Sequence, residues 1–208
     1  MVPSRLNGAI GWCAFFSVVF GSWIARPAKA DTATFDFDTG TPATFAGEGI
    51  PLDQTSGGVT AHFSSPQGSV FSIQNDGSTQ FHLSQFSGNY LYPNNLNRNY
   101  LDISFGQQLT SITLTFATAD FQQVEVPTTI TLTAYVNSTA NPAVGSISTH
   151  GYYAGDTMPM GSLLFNSPGP FNLVEIVLPY QPQGATDFLV DNIIVTFSVP
   201  QFACWMIH

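Results

Sequence analysis

Three aspartates near the two ends of the chain stand in settings that could bind a hard cation. The stretch "TFDFDTG", which begins at Thr34, places Asp36 and Asp38 at alternate positions, so a strand there would present both acids on one face. Near the other end, the apolar run "DFLVDNIIVTFSVP" carries Asp191 at its centre, on the face that strict alternation gives to Leu189, Ile193, Val195 and Phe197. A buried carboxylate without a partner is costly, so Asp191 must be protonated, hydrogen-bonded or bound to a cation.

Calcium is the cation that these acids would suit. If the first and last strands of the fold lie together, Asp36, Asp38 and Asp191 meet and can supply, with backbone carbonyls, most of the six to eight oxygens that Ca²⁺ takes. The spacing is not that of an EF-hand, because glycines occupy its fifth and twelfth positions. Alternatively, Asp36 and Asp38 are surface acids and Asp191 accepts hydrogen bonds from the backbone amides of a neighbouring loop. The sequence predicts a structural calcium site and leaves the second arrangement open.

Two loops combine aromatic rings with amide side chains. They read "SGNYLYPNNLNRNY", from Ser87 to Tyr100, and "HGYYAGDTMPMG", from His150 to Gly161. A neutral sugar can stack on an aromatic face and bond its hydroxyls to amides, although the same residues also make turns and cover core edges. The predicted ligand-binding residues are Tyr90, Tyr92, Asn94, Asn95, Arg98, Tyr152 and Tyr153. Asp156, in the second loop, is expected to tolerate asparagine without loss of stability.

Catalytic signatures are weak. The chain has no H-E-x-x-H metal motif and no G-x-S-x-G nucleophile motif. Glu48, Glu125 and Glu175 could form a glycosidase pair only if two carboxylates face each other across roughly 5–10 Å. Glu175 alternates with apolar residues and is expected on the solvent face of an edge strand. No catalytic residue is assigned.

The fold class follows from hydrophobic periodicity. Residues alternate with a period of two in "LTSITLTFAT" and "TTITLTAYV", which is typical of half-buried antiparallel strands, and no helical period is evident. Turn-forming clusters separate further strands predicted at Thr34–Asp38, Gly58–Ser64, Ser69–Gln74, Thr79–Phe86, Tyr100–Phe105, Gly145–His150, Gly161–Asn166, Phe171–Leu178 and Phe188–Ser198. The prediction is an all-β protein with a two-sheet antiparallel jelly-roll sandwich.

The two ends of the chain predict export. Residues 1–30 have a leading Arg5, an apolar run from Ala9 to Ala25 and small residues at Ala28 and Ala30, which is typical of a signal peptide cleaved after Ala30. An uncleaved membrane anchor is the alternative, because the apolar run is long. Residues 31–200 would form the β-sandwich domain, and residues 201–208 a short apolar tail too short to span a bilayer. The mature protein is therefore expected outside the cell, without a stable membrane anchor.

Charge limits the possible partners. The 208-residue chain has thirteen acidic and four basic side chains, and cleavage would leave Arg98 as the one basic residue. Such a chain cannot neutralise a phosphate backbone, which excludes nucleic acid and anionic membrane surfaces as partners. The two cysteines, Cys13 and Cys204, would be separated by cleavage, so the mature monomer has no internal disulfide.

The order of these motifs resembles a known class of secreted bacterial proteins. The signal peptide, "TFDFDTG", "SGNYLYPNN...LDISFGQQLTSITLTFAT", "TTITLTAYV" and "DFLVDNIIVTFSVP" resemble β-sandwich proteins of the exosortase-sorted, Pro-Glu-Pro C-terminal type. The last strand also resembles that of galactose-binding-like carbohydrate-binding modules. The resemblance implies a structural Ca²⁺ joining Asp36 or Asp38 to Asp191. The end "SVPQFACWMIH" departs from the sorting signal, which puts sorting by that route in doubt.

The sequence predicts a secreted, non-catalytic module that binds a neutral polysaccharide, a cell-surface glycan or the extracellular matrix, and that carries a structural calcium ion. One alternative is a glycan-active enzyme, a hydrolase or a lyase, on the same scaffold. A second is a structural surface or matrix protein with no specific small ligand.

Overall fold

A computed structural model describes residues 29–38, 45–46, 52–65, 71–75, 81–93, 99–119, 128–179 and 184–199. Most of the predicted signal peptide and the whole predicted tail lie outside these ranges. Among the described residues, no helix has the length and apolar character needed to cross a membrane.

Eleven strands account for the regular structure of the described residues. They are β1 (Lys29–Phe35), β2 (Phe45–Ala46), β3 (Leu52–Ser56), β4 (Val59–Ser64), β5 (Phe71–Asn75), β6 (Asn89–Tyr92), β7 (Asn99–Ala119), β8 (Thr129–Tyr135), β9 (Gly145–His150), β10 (Met160–Leu178) and β11 (Asp187–Val199). Every named pair of strands is antiparallel.

Two long strands, β7 and β10, run through both layers of the sandwich. In the first layer, the second half of β7 lies between β10 and β11, and β11 pairs in turn with β1 and β6. In the second layer, the first half of β7 pairs with β4 and β10, and β8 and β9 follow. The register shifts between Asn166 and Leu173 mark the place where β10 passes from one layer to the other. The predicted all-β antiparallel sandwich is confirmed.

The main core lies between the layers and receives side chains from both. Phe63 of β4 illustrates this packing, because its ring contacts Phe35 and Phe37 at centroid distances of 6.2 and 5.3 Å. A smaller second cluster contains Leu83, Phe86, Tyr90, Ala117, Ala119, Met158, Met160 and Leu189. Segments 81–88 and 151–160 therefore cover part of the first layer on the side away from the main core.

Three predicted boundaries are wrong. Residues 81–86 are not a strand but contain a turn, in which the Phe86 amide donates to the Leu83 carbonyl at 2.9 Å. Alternation of apolar residues there reflects packing of Leu83 and Phe86 in the second cluster rather than strand pairing. Strand β6 occupies part of the predicted Ser87–Tyr100 loop, and β1 ends at Phe35 rather than Asp38.

A β-bulge in β11 changes the face on which Asp191 lies. The pairing of β11 with β7 shifts register between Asp191 and Ile194, and Asn192 has a φ of 50°. Asparagine tolerates this left-handed region better than most residues. Before the bulge Phe188 and Val190 enter the main core, whereas after it Ile193, Val195 and Phe197 do so. The predicted shared face was wrong: Asp191 lies with Leu189, on the side of the second cluster.

Candidate functional site

The outward face of the second layer carries a row of polar side chains across five strands. Its members are Ser64 on β4, Asp102 on β7, Glu175 on β10, Thr133 on β8 and Ser146 on β9. Inward neighbours of these residues, such as Leu101, Ile103 and Leu132, fill the main core, so strict alternation directs the polar set outward. We call this surface the Asp102 face.

Two carboxylates lie side by side at the centre of the Asp102 face. Asp102 and Glu175 are directly opposite one another on adjacent central strands, and both are half-buried. Burial and then the charge of Glu175 raise the pKa of Asp102 to about 6, and burial also raises the pKa of Glu175. Like charges directly opposite in a sheet are unfavourable, so this pair costs stability.

One oxygen of this pair has no partner. Asp102 Oδ1 is buried and makes no hydrogen bond, and no other buried side-chain oxygen or nitrogen of the described residues shares this condition. Buried polar atoms are nearly always hydrogen-bonded, so an unpartnered acceptor indicates either strain or a missing donor. The arrangement can accept hydrogen bonds from hydroxyl groups or share a proton.

Hydroxyl and aromatic side chains surround the acid pair. On one side lies the row Tyr100, Val177, Thr131 and Ser148, and on the other the row His62, Ser104, Leu173 and Tyr135. The Thr131 and Ser148 hydroxyls are hydrogen-bonded at 2.8 Å. Burial and then the charge of Glu175 raise the pKa of Tyr135, so its phenol stays neutral and available as a donor.

Each end of the Asp102 face has a distinct character. At the β3 edge, the imidazole of His62 is paired with the Asp53 carboxylate through Nδ1. At the β9 edge, the His150 ring packs against Tyr152 with centroids 4.7 Å apart. Tyr152 is 65% exposed and Tyr153 is 37% exposed, so this edge offers aromatic surface to solvent.

The predicted ligand-binding residues divide into three groups. Tyr152 is exposed at the β9 edge of the Asp102 face, and Tyr153, the next residue, is partly exposed. Tyr90 is completely buried in the second cluster and cannot stack on a ligand, which corrects that prediction. Asn94, Asn95 and Arg98 lie outside the described residues.

Tyr92 has a structural partner that the sequence did not indicate. Its hydroxyl donates to Oδ2 of Asp187 at 2.9 Å, and Asp187 is completely buried. Burial and the charge of Asp187 raise the pKa of Tyr92. Truncating Tyr92 would therefore disturb a buried carboxylate, so its replacement by alanine does not test ligand contact alone.

The predicted calcium ligands lie near one another at the junction of β1 and β11. Phe35 pairs with Ile193, which brings Asp36 and Asp38 towards the bulge. Asp191 Oδ2 accepts from the Ser87 amide at 3.2 Å and from Asn192 Nδ2 at 2.9 Å, while Oδ1 accepts from the Asn192 amide at 2.7 Å. Burial raises the pKa of Asp191 to about 7; the bonds from Ser87 and Asn192 oppose this rise, and the charges of Asp38 and Asp36 add to it.

Hydrogen bonds already occupy several of these carboxylate oxygens. The Asp38 carboxylate accepts from the Asn89 amide and packs against Gly88, where an added Cβ would lie 2.0 Å from Asp38 Oδ1. Within the described residues, no three His, Cys, Asp or Glu side chains cluster closely enough to hold a metal ion. The described part of this junction is thus a hydrogen-bonded carboxylate cluster rather than a complete metal cage.

Asp156, which the sequence predicted to tolerate asparagine, is buried. It is 8% exposed, and its two oxygens accept hydrogen bonds from the Ser84 amide at 2.6 Å and the Ser84 hydroxyl at 3.0 Å. These bonds join the two segments that cover the second cluster. Asparagine could keep both contacts, by accepting from the Ser84 amide and donating to the Ser84 hydroxyl, but neither bond would have a charged acceptor. The structure therefore predicts a loss of stability where the sequence predicted none.

The sequence did not indicate the Asp102 face. Glu175 was expected on an edge strand, but β10 has β7 on one side and β8 on the other at this position, so that expectation was wrong. Alternation does place Asp102 with Tyr100 and Ser104, and Thr133 with Thr131 and Tyr135. Alternation does not predict that β10 lies between β7 and β8, because the order of strands in a sheet depends on tertiary pairing.

Comparisons with known proteins bear on the fold. No protein-family model matches the chain, and no curated protein sequence matches it. The K2 adhesin domain of Lys-gingipain is 12% identical, with a TM-score of 0.50 over 79% of this chain and 99% of the adhesin domain. This likeness shows a shared fold alone.

Two further solved structures are more distant in shape. A carbohydrate binding module of family 29 is 11% identical, with a TM-score of 0.32 over 81% of this chain and 89% of the module. The catalytic domain of a GH87 alpha-1,3-glucanase in complex with nigerose is 11% identical, with a TM-score of 0.37 over 86% of this chain and 30% of that domain. Scores this low support no conclusion about site or activity.

Proposed function

We propose that the protein is a secreted, non-catalytic module that binds a neutral glycan on its Asp102 face. The observation that carries the proposal is the pair of half-buried acids, Asp102 and Glu175, among hydroxyl and tyrosine side chains on one outward face. Carboxylates can accept hydrogen bonds from sugar hydroxyls, and the neighbouring tyrosines can contact the apolar faces of sugar rings.

The size of the face favours a polymer over a single sugar. From Asp102 on β7 to Ser146 on β9 the row crosses three strand spacings, about 14 Å at 4.8 Å per strand. The exposed ring of Tyr152 extends this surface at the β9 edge. A chain of several sugar units could contact the acid pair and Tyr152 at once, whereas a monosaccharide could not.

Binding can be tested with a glycan array and matched variants. Glu175→Ala and Tyr135→Ala should weaken binding, because they remove an acceptor and an aromatic surface from the centre of the face. Tyr152→Ala should weaken binding of long chains more than of short ones. Leu164→Ala is the control, since Leu164 is 51% exposed on the first layer, away from this face. Unchanged affinity in the first two variants would place the ligand elsewhere.

An enzyme on this scaffold is the alternative, and the acid pair gives it a specific form. Two carboxylates with raised pKa values could serve as an acid and a base in glycoside cleavage. We expect no release of sugars from mixed polysaccharides, because the face offers no other group assigned to catalysis. Release that disappears in both Asp102→Asn and Glu175→Gln would replace the binding proposal with the enzymatic one.

We also propose a structural calcium ion at the junction of β1 and β11, held by Asp191 with Asp36 or Asp38. Support comes from the mutual repulsion of these carboxylates, which a divalent cation would relieve. The competing arrangement is the hydrogen-bonded cluster itself, in which Ser87, Asn89 and Asn192 supply the donors. Metal analysis of the purified protein and melting curves with and without a chelator decide between them.

A further inference from the structure

We propose that the acid pair of the Asp102 face takes up a proton when a neutral glycan covers it, so that acid strengthens the binding. This inference rests on the proposed glycan-binding function and adds a dependence on pH to it. The geometry that carries it is the direct cross-strand placement of Asp102 and Glu175, half-buried, with one oxygen lacking a donor.

The surroundings of the pair offer little positive charge. Its neighbours in the same row are Ser64 on β4 and Thr133 on β8. The titratable groups in the flanking rows are Tyr100 on β7, Tyr135 on β8 and His62 on β4, and His62 is already paired with Asp53 of β3. Among the described residues, no lysine or arginine faces the pair from β4, β7, β8 or β10.

A ligand that covers the pair changes its proton affinity in a direction set by the ligand's charge. A neutral chain removes water from two adjacent carboxylates and brings no cation, so it favours the form that shares one proton. A cation favours the fully ionised form and would expel that proton. By linkage, acid should strengthen the binding of a neutral chain and weaken the binding of a cation.

The relevant pH window follows from the free protein. The pKa of Asp102 is raised to about 6, so Asp102 loses its proton near pH 6 in the free protein, and burial also raises the pKa of Glu175. Affinity for a neutral chain should therefore rise as the pH falls from about 8 to about 5.5, by no more than about tenfold per pH unit for one proton.

Affinity electrophoresis of the full chain tests the inference. Gels would contain β-glucan, glucomannan or xylan as neutral polymers and N-trimethyl chitosan, which stays charged, as a cationic one, each run at about pH 5.5, 6.5 and 8. We expect retardation by at least one neutral polymer, stronger at the acid end. Because the whole protein is acidic, its retardation by the cationic polymer is compared with that of Asp102→Asn/Glu175→Gln in the same gel.

Two variants separate the pair from other titrating groups. Asp102→Asn/Glu175→Gln leaves neither carboxylate of the pair to take up a proton, so whatever binding remains should lose its dependence on pH. His62→Asn should keep that dependence, because His62 lies outside the pair.

The outcomes distinguish failure of this inference from failure of the proposed function. No retardation in any gel at any pH would overturn both. Retardation by a neutral polymer that is constant with pH, or stronger at pH 8, would overturn only the inference. A pH dependence that survives in Asp102→Asn/Glu175→Gln but vanishes in His62→Asn would also overturn it, since the proton would then belong to His62.

Discussion

At the scale of single residues, Asp102 is a group that lowers the stability of the fold. Its carboxylate is half-buried beside Glu175, and one of its oxygens has no partner, so the native state is less stable when Asp102 is ionised. Groups that lower stability and lie on an accessible face are common at functional sites. The cost is itself measurable.

Asp102→Asn should stabilise the protein at pH 8, by roughly 1–3 kcal/mol for a pKa raised to about 6. The folded pKa lies above the unfolded value, so the native state binds the proton more tightly and stability falls as the pH rises from about 4 to about 6. Urea unfolding of the wild type and of Asp102→Asn across this pH range measures the difference between their free energies of unfolding. Contributions from other titrating groups are the same in both proteins and cancel in that difference. A variant less stable than the wild type at pH 8 would contradict the assignment.

Asp156→Asn should destabilise by about 1 kcal/mol, because the two bonds with Ser84 lose their charged acceptor between segments that cover the second cluster. Asp31→Asn is the matched control, since Asp31 is exposed on β1. Thermal unfolding of the two variants side by side makes the comparison. Equal melting temperatures would show that the charge on Asp156 contributes nothing.

At the scale of elements, the bulge in β11 determines which side chains enter the core. Asn192 inserts one residue, so Val190 before it and Ile193 after it both face inward, although an unbroken strand would send them to opposite sides. Its side chain also donates to Asp191 at 2.9 Å. The bulge thus supports both core packing and the carboxylate cluster.

Replacing Asn192 separates these two contributions. Asn192→Gly keeps the positive φ and loses only the side-chain bond, so it should cost about 1 kcal/mol. Asn192→Val must adopt a conformation that β-branched residues avoid, and should cost about 2 kcal/mol or more. Chemical denaturation gives both values. If valine were tolerated as well as glycine, the left-handed conformation would not be required.

The sequence predicted strands correctly where apolar and polar residues alternate because one face is buried. It predicted them wrongly where the alternation has another cause. Thr129–Tyr135 and Gly145–His150 fall where the pattern puts them, since the first buries every second residue and the second alternates half-buried with exposed residues over Gly145–Ser148. Phe81–Phe86 imitates a strand because Leu83 and Phe86 pack in a second cluster. The Asp102 face was missed because its members come from five strands whose order no local pattern contains.

At the scale of the whole molecule, the junction of β1 and β11 joins the first strand of the domain to the last. If a calcium ion binds there, it binds only the folded state and adds about 3 kcal/mol of stability at a hundredfold excess over Kd. Excess EDTA should then lower the melting temperature by about 5–10 °C for a domain of this length. Calcium should restore it.

Asp191→Asn should abolish the response to calcium and should itself destabilise, because an amide nitrogen would face the amide donors of Ser87 or Asn192. Asp31→Asn should respond to EDTA as the wild type does. Coincident wild-type melts in calcium and in EDTA, with no metal in the purified sample, would leave hydrogen bonds alone to hold Asp191.

The pairing of Lys29 with Val199 places the two ends of the described domain side by side. Residues opposite one another in antiparallel strands have Cα atoms about 5 Å apart, the gap that a two-residue turn spans. Asp31, the first residue of the expected mature chain, pairs in the same way with Phe197, so the domain can be circularly permuted by joining residue 197 to residue 31 through a short turn and opening the exposed turn at residues 139–143. The domain can also be inserted into a surface loop of a host protein with little change in that loop, because the two ends of the domain lie close together.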